Sequence, residues 1–197
     1  MDVVSTAQRM TADEFLALEP DKRWRRRELI DGEIVVNEPS WTHSRSKFRI
    51  GTALEVWSRG GPARGTAGDP LDVALDEHNV LAPDVLWYRD GRAPRLSDQP
   101  PYPIPDLAVE IRSPSTWRYD IGAKKASYER HGLPELWLVD TAANVVLVFR
   151  RSMPEAPDFD VSEELDTEAT LTSPLLPGFA LAVKEIFPPD EEAPWTP

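Results

Sequence analysis

Hydrophobic and polar positions near the start of the chain change their period within a short stretch. Thr11-Ala12-Asp13-Glu14 has the spacing of a capping box and predicts a short helix from about Ala12 to Glu19, before Pro20. Two β-prone runs, 27–30 and 33–36, then flank Asp31-Gly32. An Asp-Gly pair between two such runs is the strongest short-range hairpin signal, so we expect a β-hairpin here.

A helical pattern follows the hairpin. It begins at Ser40 or Thr42 and extends to Arg59, and Gly60-Gly61 ends it. The apolar residues that this pattern places close to one helix face are Phe48, Ala53, Leu54 and Trp57. We therefore expect these four side chains to pack on the rest of the protein.

The remaining pattern alternates between strands and helices. The predicted elements are a strand at 70–76, a strand at 80–88, a loop at 90–105, a strand at 106–112, a helix at about 119–131, and two strands at 135–140 and 144–150. Residues 152–168 are acidic and weakly patterned, and 173–187 suggest one more strand pair or a short helix. The order predicts an α/β fold with a central mixed sheet flanked by helices. We expect one domain over 1–187 and a frayed, Pro-rich acidic tail at 188–197.

The charge of the chain is unevenly distributed. The net charge is −12 over 197 residues, and residues 152–197 contain 11 acidic residues and one basic residue. The first three quarters are nearly neutral, with a basic run at 22–27. Proteins that bind duplex DNA usually carry a basic excess, so the charge argues against a nucleic-acid partner unless a local basic face compensates.

Several classes of protein are excluded by what the sequence lacks. There is no cysteine, which excludes disulfides and thiolate chemistry, and no phosphate-binding loop, dinucleotide fingerprint or G-x-S-x-G elbow. No apolar run reaches the ~20 residues of a membrane span, and the start lacks a secretory signal, so we expect a cytoplasmic protein. The three histidines lack metal-ligand spacing, and only His43, at a helix start, is kept as a candidate.

Two acidic residues lie inside apolar strand segments. Asp84 is within the segment 80–88 and Glu110 is within the segment 106–112. Burying an ionised carboxylate is unfavourable unless it is paired or binds a metal. One interpretation is a buried salt bridge to Arg112 or Lys124. The other is a divalent cation shared by the two acids, because Mg²⁺ prefers carboxylate oxygens and needs only one or two of them.

Basic residues stand near both acids in the predicted elements. Glu110 and Arg112 share one strand face, because side chains alternate. Asp120, Lys124 and Tyr128 have the spacing i, i+4 and i+8 along one helix face. If that face looks towards the strand ends, Lys124 reaches the acids; otherwise Asp120 and Lys124 form a surface pair. Metal-assisted phosphodiester hydrolysis requires acids of this type together with a cation near the developing charge.

Sequence blocks around these residues resemble a known family. Pro83-Asp84 followed by Glu110-x-Arg112 resembles the PD-(D/E)XK nuclease signature, with arginine in place of lysine. More specific blocks occur in the order found in the Uma-type restriction endonuclease family, a bacterial group once catalogued as a domain of unknown function. These blocks are 27–33, 82–85, 109–116, 120–128, 132–140 and 173–179. The resemblance covers about residues 10–187.

The resemblance implies a restriction-endonuclease-like fold and an Mg²⁺-dependent DNA endonuclease, with Mn²⁺ as a possible substitute. Asp84, Glu110 and the main-chain carbonyl of Ile111 would bind the metal. Lys124 would replace the motif lysine. Glu28 would be an additional acid of the site; the alternative for Glu28 is a hairpin residue that pairs with one of Arg25–Arg27. Arg112 is always protonated, so it cannot be a base, although it can contact a phosphate.

Two other functions and one assembly remain open at this point. The chain could be an inactive nuclease fold that serves as a binding module, or it could hydrolyse a smaller phosphoester. Cleavage of two DNA strands often uses two sites, so we expect a homodimer. The apolar strand Leu136–Val139 and the hairpin that follows it are the expected interface.

Overall fold

The fold is described from a computed structural model, which describes residues 9–19 and 26–187. The strands are β1 Arg26–Ile30, β2 Glu33–Asn37, β3 Thr66–Gly68, β4 Val73–Asp76, β5 Asn79–Leu81, β6 Val85–Tyr88, β7 Leu107–Ile111, β8 Glu135–Asp140, β9 Val145–Arg150, β10 Val161–Leu165, β11 Thr170–Leu171 and β12 Leu181–Ala182. The helices are α1 Ala12–Leu16, α2 Trp41–Arg59, α3 Trp117–Tyr119, a π-helical segment Asp120–Lys124, α4 Lys125–Arg130 and a 3₁₀ turn Val183–Glu185.

The larger sheet has six strands in the order β10-β9-β8-β7-β6-β3. Strands β7 and β8 are parallel, and the other neighbours are antiparallel. The parallel pair requires a crossover, which the helical stretch from Trp117 to Arg130 provides. The predicted mixed α/β architecture is confirmed.

The smaller sheet has four antiparallel strands in the order β2-β1-β5-β4. The predicted hairpin forms β1 and β2, and its turn residues Asp31 and Gly32 have φ of 49° and 80°. Positive φ at both positions is the requirement of a type I′ turn, whose twist matches the flanking strands. Leu29 of β1 pairs with Val80 of β5, so the hairpin is joined to the rest of the fold next to Asp84.

The predicted single strand at 80–88 is wrong, because the structure contains two strands that belong to different sheets. β5 ends at Leu81 and β6 begins at Val85. Pro83 lies between them, and proline has no N–H with which to continue a central ladder. The chain therefore leaves one sheet and enters the other at Ala82-Pro83-Asp84.

Helices cover both faces of the larger sheet. Ile50, Leu54 and Trp57 of α2 pack in one core with alternate residues of β6 to β9, and Tyr128 packs in the core on the opposite face. The helix predicted at 42–59 is confirmed, but Phe48 is 66% exposed. The i, i+4, i+7 residues Ile50, Leu54 and Trp57 define the buried face instead.

Some boundaries differ from the predictions. Helix α1 ends at Leu16 rather than Glu19, and β3, at the edge of the larger sheet, was not predicted. The weakly patterned acidic segment contains β10, which pairs with β9 as the opposite edge strand. Short edge strands such as these have little hydrophobic pattern, so the sequence did not predict them.

As part of the expected dimer interface, the strand Leu136–Val139 is wrong. Residues Leu136–Val139 lie in β8, which is hydrogen-bonded to β7 on one side and β9 on the other and is almost completely buried. The hairpin partner β9 is in turn covered by β10. An apolar run of this kind is a central strand of the sheet and not a free surface.

Candidate active site

Asp84 directly precedes β6, and Glu110 lies in the neighbouring strand β7. Val85 pairs with Val109 in the antiparallel ladder of β6 and β7. Extending this register by one residue places Asp84 opposite Glu110, and residues directly opposite each other share a sheet face. The two acids that the sequence singled out are therefore brought together by strand register.

Two nitrogen atoms lie within hydrogen-bond distance of one oxygen of Asp84. The main-chain N–H of Ile111 donates to Asp84 Oδ2 at 2.8 Å, and Nε2 of His43 is 3.0 Å from the same oxygen. His43 is buried in the first turn of α2, where its N–H donates to the side chain of Ser40, the N-cap residue. The histidine kept as a candidate thus reaches the site through its contact with Asp84.

Lys124 stands at the centre of three carboxylates. Its Nζ is 2.8 Å from Glu110 Oε1, 2.9 Å from Glu28 Oε1 and 3.2 Å from Asp120 Oδ1. The Tyr128 hydroxyl donates to Glu110 Oε1 at 2.7 Å. We call Lys124, Glu28, Glu110 and Asp120 the lysine cluster. Lys124 therefore reaches Glu110, and the buried salt bridge that was one of the two interpretations is present at this acid.

The predicted helix face is present and fully buried. Lys124 is only 2% exposed, and Asp120 is equally buried, so the surface-pair interpretation of these two residues is wrong. The segment Asp120–Lys124 that carries them is π-helical. Single π-helical turns inside α-helices are often found at functional sites.

Glu28 connects the smaller sheet to the cluster. Its Oε1 accepts a hydrogen bond from the main-chain N–H of Ala82 at 2.8 Å, in the break between β5 and β6. Arg26 pairs with Asp72, and Arg27 donates to the carbonyl of Glu19. Neither Arg26 nor Arg27 is therefore the partner of Glu28 that the alternative interpretation required. The third candidate, Arg25, lies outside the described residues.

Burial and the excess of negative charge in the cluster together set the direction of its pKa shifts. Burial opposes the charge on Lys124, but the carboxylates of Glu110, Glu28 and Asp120 outweigh it and hold the pKa of Lys124 well above its usual range. One ammonium cannot neutralise three acids. Burial, partly offset by Lys124, accordingly raises the pKa of Glu110 well above its usual range and that of Asp120 to about 6.

Arg112 is not brought into the lysine cluster. Its Nη1 donates to both oxygens of Asp140 at 2.9 Å, and its guanidinium lies over the ring of Trp117. Its side chain is 34% exposed. The shared strand face with Glu110 was predicted from alternation, but the long side chain turns away to an acid on β8.

A groove opens beside Asp84. Its volume is about 920 Å³, and it lies between α2 and the ends of β2 and β3. Its wall includes Asp84 and four residues of α2, which are His43, Lys47, Phe48 and Glu55. The site therefore communicates with the surface through Asp84, whereas Lys124 is enclosed.

Comparison with known proteins decides the family. The family model described as "Uma2: Putative restriction endonuclease" matches residues 12–184, which is most of the chain. The chain belongs to the Uma2 family. The resemblance stated from the sequence is confirmed.

Two relatives of this Uma2 chain extend the comparison. An uncharacterized protein, slr1290, from Synechocystis sp. is 28% identical over 138 residues, covering 70% of this chain and 71% of the relative. A crystal structure of a putative nuclease belonging to DUF820 from Anabaena variabilis matches with a TM-score of 0.73 at 21% identity. It covers 90% of this chain and 97% of the other and supports the fold. No helix in the described part of the Uma2 chain has the length and apolar character to cross a bilayer.

The donor set of this Uma2 chain fits a divalent cation bound by few protein ligands. Asp84 Oδ1 and Glu110 Oε2 accept no hydrogen bond from the residues that the structure describes. Within 9–19 and 26–187, no group of three His, Asp or Glu side chains is arranged to hold a metal. Two carboxylates and a carbonyl, with water completing the shell, are oxygen ligands of the kind that hard divalent cations take.

Sequence reasoning assigned no role to two residues of this arrangement. Tyr128 had been noted for its spacing, and its hydroxyl proves to donate to Glu110. Asp140 ends β8 and captures Arg112. The signal for Tyr128 was its position i+4 from Lys124, whereas nothing local in the sequence connects Asp140 to Arg112.

Proposed function

We propose that this chain is a metal-dependent nuclease that hydrolyses phosphodiester bonds of DNA. The observation that carries the proposal is the placement of Lys124 Nζ 2.8 Å from Glu110, which itself faces Asp84 across β6 and β7. This arrangement unites two oxygen ligands and a buried cation, the groups that phosphodiester hydrolysis needs. The family description supports the nuclease activity.

In the proposed site, Asp84, Glu110 and the main-chain carbonyl of Ile111 hold Mg²⁺, for which Mn²⁺ is a substitute. The bound metal supplies a lowered pKa for its water and positive charge beside the phosphate. Asp84 is held by the Ile111 N–H and His43, so its second oxygen keeps a fixed direction. Glu110 is oriented by the Tyr128 hydroxyl.

Lys124 acts in this proposal as a cation and not as a base. Its pKa is held well above its usual range by the surrounding carboxylates, so it stays protonated at any working pH. A protonated amine can stabilise charge that develops on the phosphate and can orient a water molecule. Glu28 and Asp120 hold the ammonium in place.

Arg112 has a peripheral place in the proposal. Its guanidinium is bound to both oxygens of Asp140, and a phosphate has to compete with that carboxylate. We therefore assign Arg112 a contact with the DNA backbone at the end of β7 and no part in the chemical step. A cytoplasmic homodimer and a single domain over 1–187 complete the proposal as predictions from the sequence.

The test combines metal binding with DNA cleavage. Mg²⁺ and Mn²⁺ are titrated by calorimetry into the wild type, Asp84→Asn and Glu110→Gln, and nicking of supercoiled plasmid is followed on the same samples. Glu163→Gln is the matched control, because Glu163 is a half-exposed acid on β10 that pairs with Arg150. We expect both site variants to lose metal binding and nicking, and the control to retain both. Nicking that persists in Asp84→Asn contradicts the assigned site.

Hydrolysis of a smaller phosphoester is the second candidate, and the charge of the groove favours it. The groove is lined by four acidic residues, Glu38, Glu55, Asp69 and Asp84, and by two basic residues, Arg26 and Lys47. Such a wall attracts a polyanion weakly. Metal binding without plasmid nicking, together with cleavage of bis(p-nitrophenyl) phosphate, supports this candidate. Absence of metal binding assigns the acids a structural role and favours an inactive binding module.

A further inference from the structure

We propose that His43 is a positioning residue that sets the orientation of the Asp84 carboxylate and so directs its Oδ1 to the metal. The inference rests on the proposed function, because it concerns the same carboxylate. It goes further by assigning a role to a helix residue that lies outside the acids and the lysine.

The His43 ring is held rigidly. Its side chain is 4% exposed, and its main chain lies in the first turn of α2, where Ser40 caps the helix. The ring nitrogen Nε2 is 3.0 Å from Asp84 Oδ2. A buried ring on a capped helix offers a fixed donor position, which a flexible surface side chain cannot do.

The hydrogen-bond inventory identifies the donor. An ionised carboxylate can only accept hydrogen bonds, and Asp84 Oδ2 already accepts the N–H of Ile111. For Asp84 to act as a carboxylate ligand, the hydrogen between His43 and Asp84 has to be carried by Nε2. Two donors on a single oxygen prevent the carboxylate from rotating, and Oδ1 keeps no hydrogen bond to any residue that the structure describes.

The other ring nitrogen of His43 has no hydrogen bond within the described residues that would account for a histidine at this position. Nδ1 of His43 is buried and has no hydrogen-bond partner in the described part of the protein. An unpartnered buried nitrogen is unfavourable for folding, whereas an apolar residue in the same place would avoid that penalty. The contact with Asp84 is the feature that an apolar residue cannot replace.

The experiment uses two amide variants that differ in reach. In His43→Gln the amide nitrogen falls near the position of Nε2, whereas in His43→Asn it falls near Nδ1 and does not reach Asp84. Mn²⁺ alone is the probe, and its affinity is measured by calorimetry. We expect His43→Asn to bind Mn²⁺ 10- to 100-fold more weakly and His43→Gln to stay within about 3-fold of the wild type.

Two measurements without metal provide an independent readout. Imidazole ¹⁵N NMR of the wild type is expected to show the hydrogen on Nε2. Hydrogen exchange of the Ile111 amide is expected to accelerate in His43→Asn and to remain slow in His43→Gln. His78→Gln is the matched control, because the His78 ring bonds the carbonyl of Met10 away from the site.

The outcomes separate this inference from the proposed function. If the wild type binds no Mn²⁺, the proposed metal-dependent function fails, and the tautomer and the Ile111 exchange still decide whether His43 orients Asp84. If Mn²⁺ binds equally well to both amide variants, the inference is overturned while the function stands. A hydrogen on Nδ1, or equal Ile111 exchange in all variants, also overturns it. Should His43→Asn not fold, the tautomer and the Gln variant decide.

Discussion

Strand β7 has a buried carboxylate near each end, and the two ends solve the problem of burial differently. Asp106 directly precedes the strand and is fully buried. Its Oδ1 is 2.8 Å from Nε of Arg89 and also contacts the guanidinium of Arg92. Its Oδ2 accepts a hydrogen bond from the main-chain N–H of Arg89. Two arginines therefore neutralise one acid at this end.

At the other end, one cation serves three acids. Glu110 shares Lys124 with Glu28 and Asp120, and all four groups are buried. The arginines at Asp106 are half-exposed and can reach water, whereas Lys124 cannot. The charges at the first end are balanced in a way that favours folding, whereas the second end retains an excess of negative charge that folding alone does not favour.

The largest expected effect is the removal of the cation from the acid-rich end. Lys124→Met keeps the volume of the side chain but leaves three buried carboxylates without a counter-charge. We expect a loss of about 3–5 kcal/mol in the free energy of unfolding, measured by urea denaturation at neutral pH. A loss below about 1 kcal/mol would show that the acids are protonated in the native protein and need no counter-charge.

The second prediction concerns pH and Asp120. The pKa of Asp120 is raised to about 6 in the folded protein, so the folded state binds its proton more tightly than the unfolded chain does. Its contribution to stability is therefore present below the unfolded pKa near 4 and is lost as pH rises through about 6. As the pH rises from 4 to 7, we expect the free energy of unfolding of Asp120→Asn to increase relative to that of the wild type by on the order of 2–3 kcal/mol. A pH-independent difference in urea denaturation contradicts this.

A smaller effect is expected at the arginine-rich end. Asp106→Asn removes the charge but keeps one acceptor, and water can solvate the half-exposed guanidinium groups of Arg89 and Arg92. We expect the free energy of unfolding, measured by thermal and urea denaturation, to fall by about 1–2 kcal/mol. Mn²⁺ affinity should not change, and a weakened affinity would mean that the two ends of β7 are coupled.

The smallest effect serves as the baseline. Glu163→Gln removes the ion pair between β10 and Arg150 of β9, which is partly exposed at the sheet edge. We expect a change of at most about 0.5 kcal/mol in the free energy of unfolding, and less at high salt. A larger loss would indicate that the β10 edge pairing depends on this charge pair.

Local sequence signals predicted the elements that depend on neighbouring residues. The capping box at Thr11 and Glu14, the Asp31-Gly32 turn and the helical period of α2 are all present. Each depends on backbone chemistry within a few residues. The predictions failed where the structure depends on residues that are distant in the sequence. β5 and β6 are separate strands because they pair in different sheets, and β10 is a strand because it pairs with β9.

The candidate site was predictable in its residue types and only partly in its contacts. Asp84, Glu110 and Lys124 stood out because acids within apolar strands need an explanation, and the helix spacing aligned Lys124 with Asp120 and Tyr128. Arg112 shows the limit of such reasoning. Alternation placed it on the same face as Glu110, but Asp140, nearly thirty residues away, determines where its guanidinium lies.

By itself, the sequence determined the mixed α/β class, the acidic balance and the family, because composition, periodicity and ordered motif blocks are properties of the chain alone. Only the tertiary structure decided that Glu28 and Lys124 meet and that His43 reaches Asp84. Those contacts join residues 96 and 41 positions apart. No local pattern encodes such distances, since strand register and sheet order set them and the burial of the whole core stabilises them.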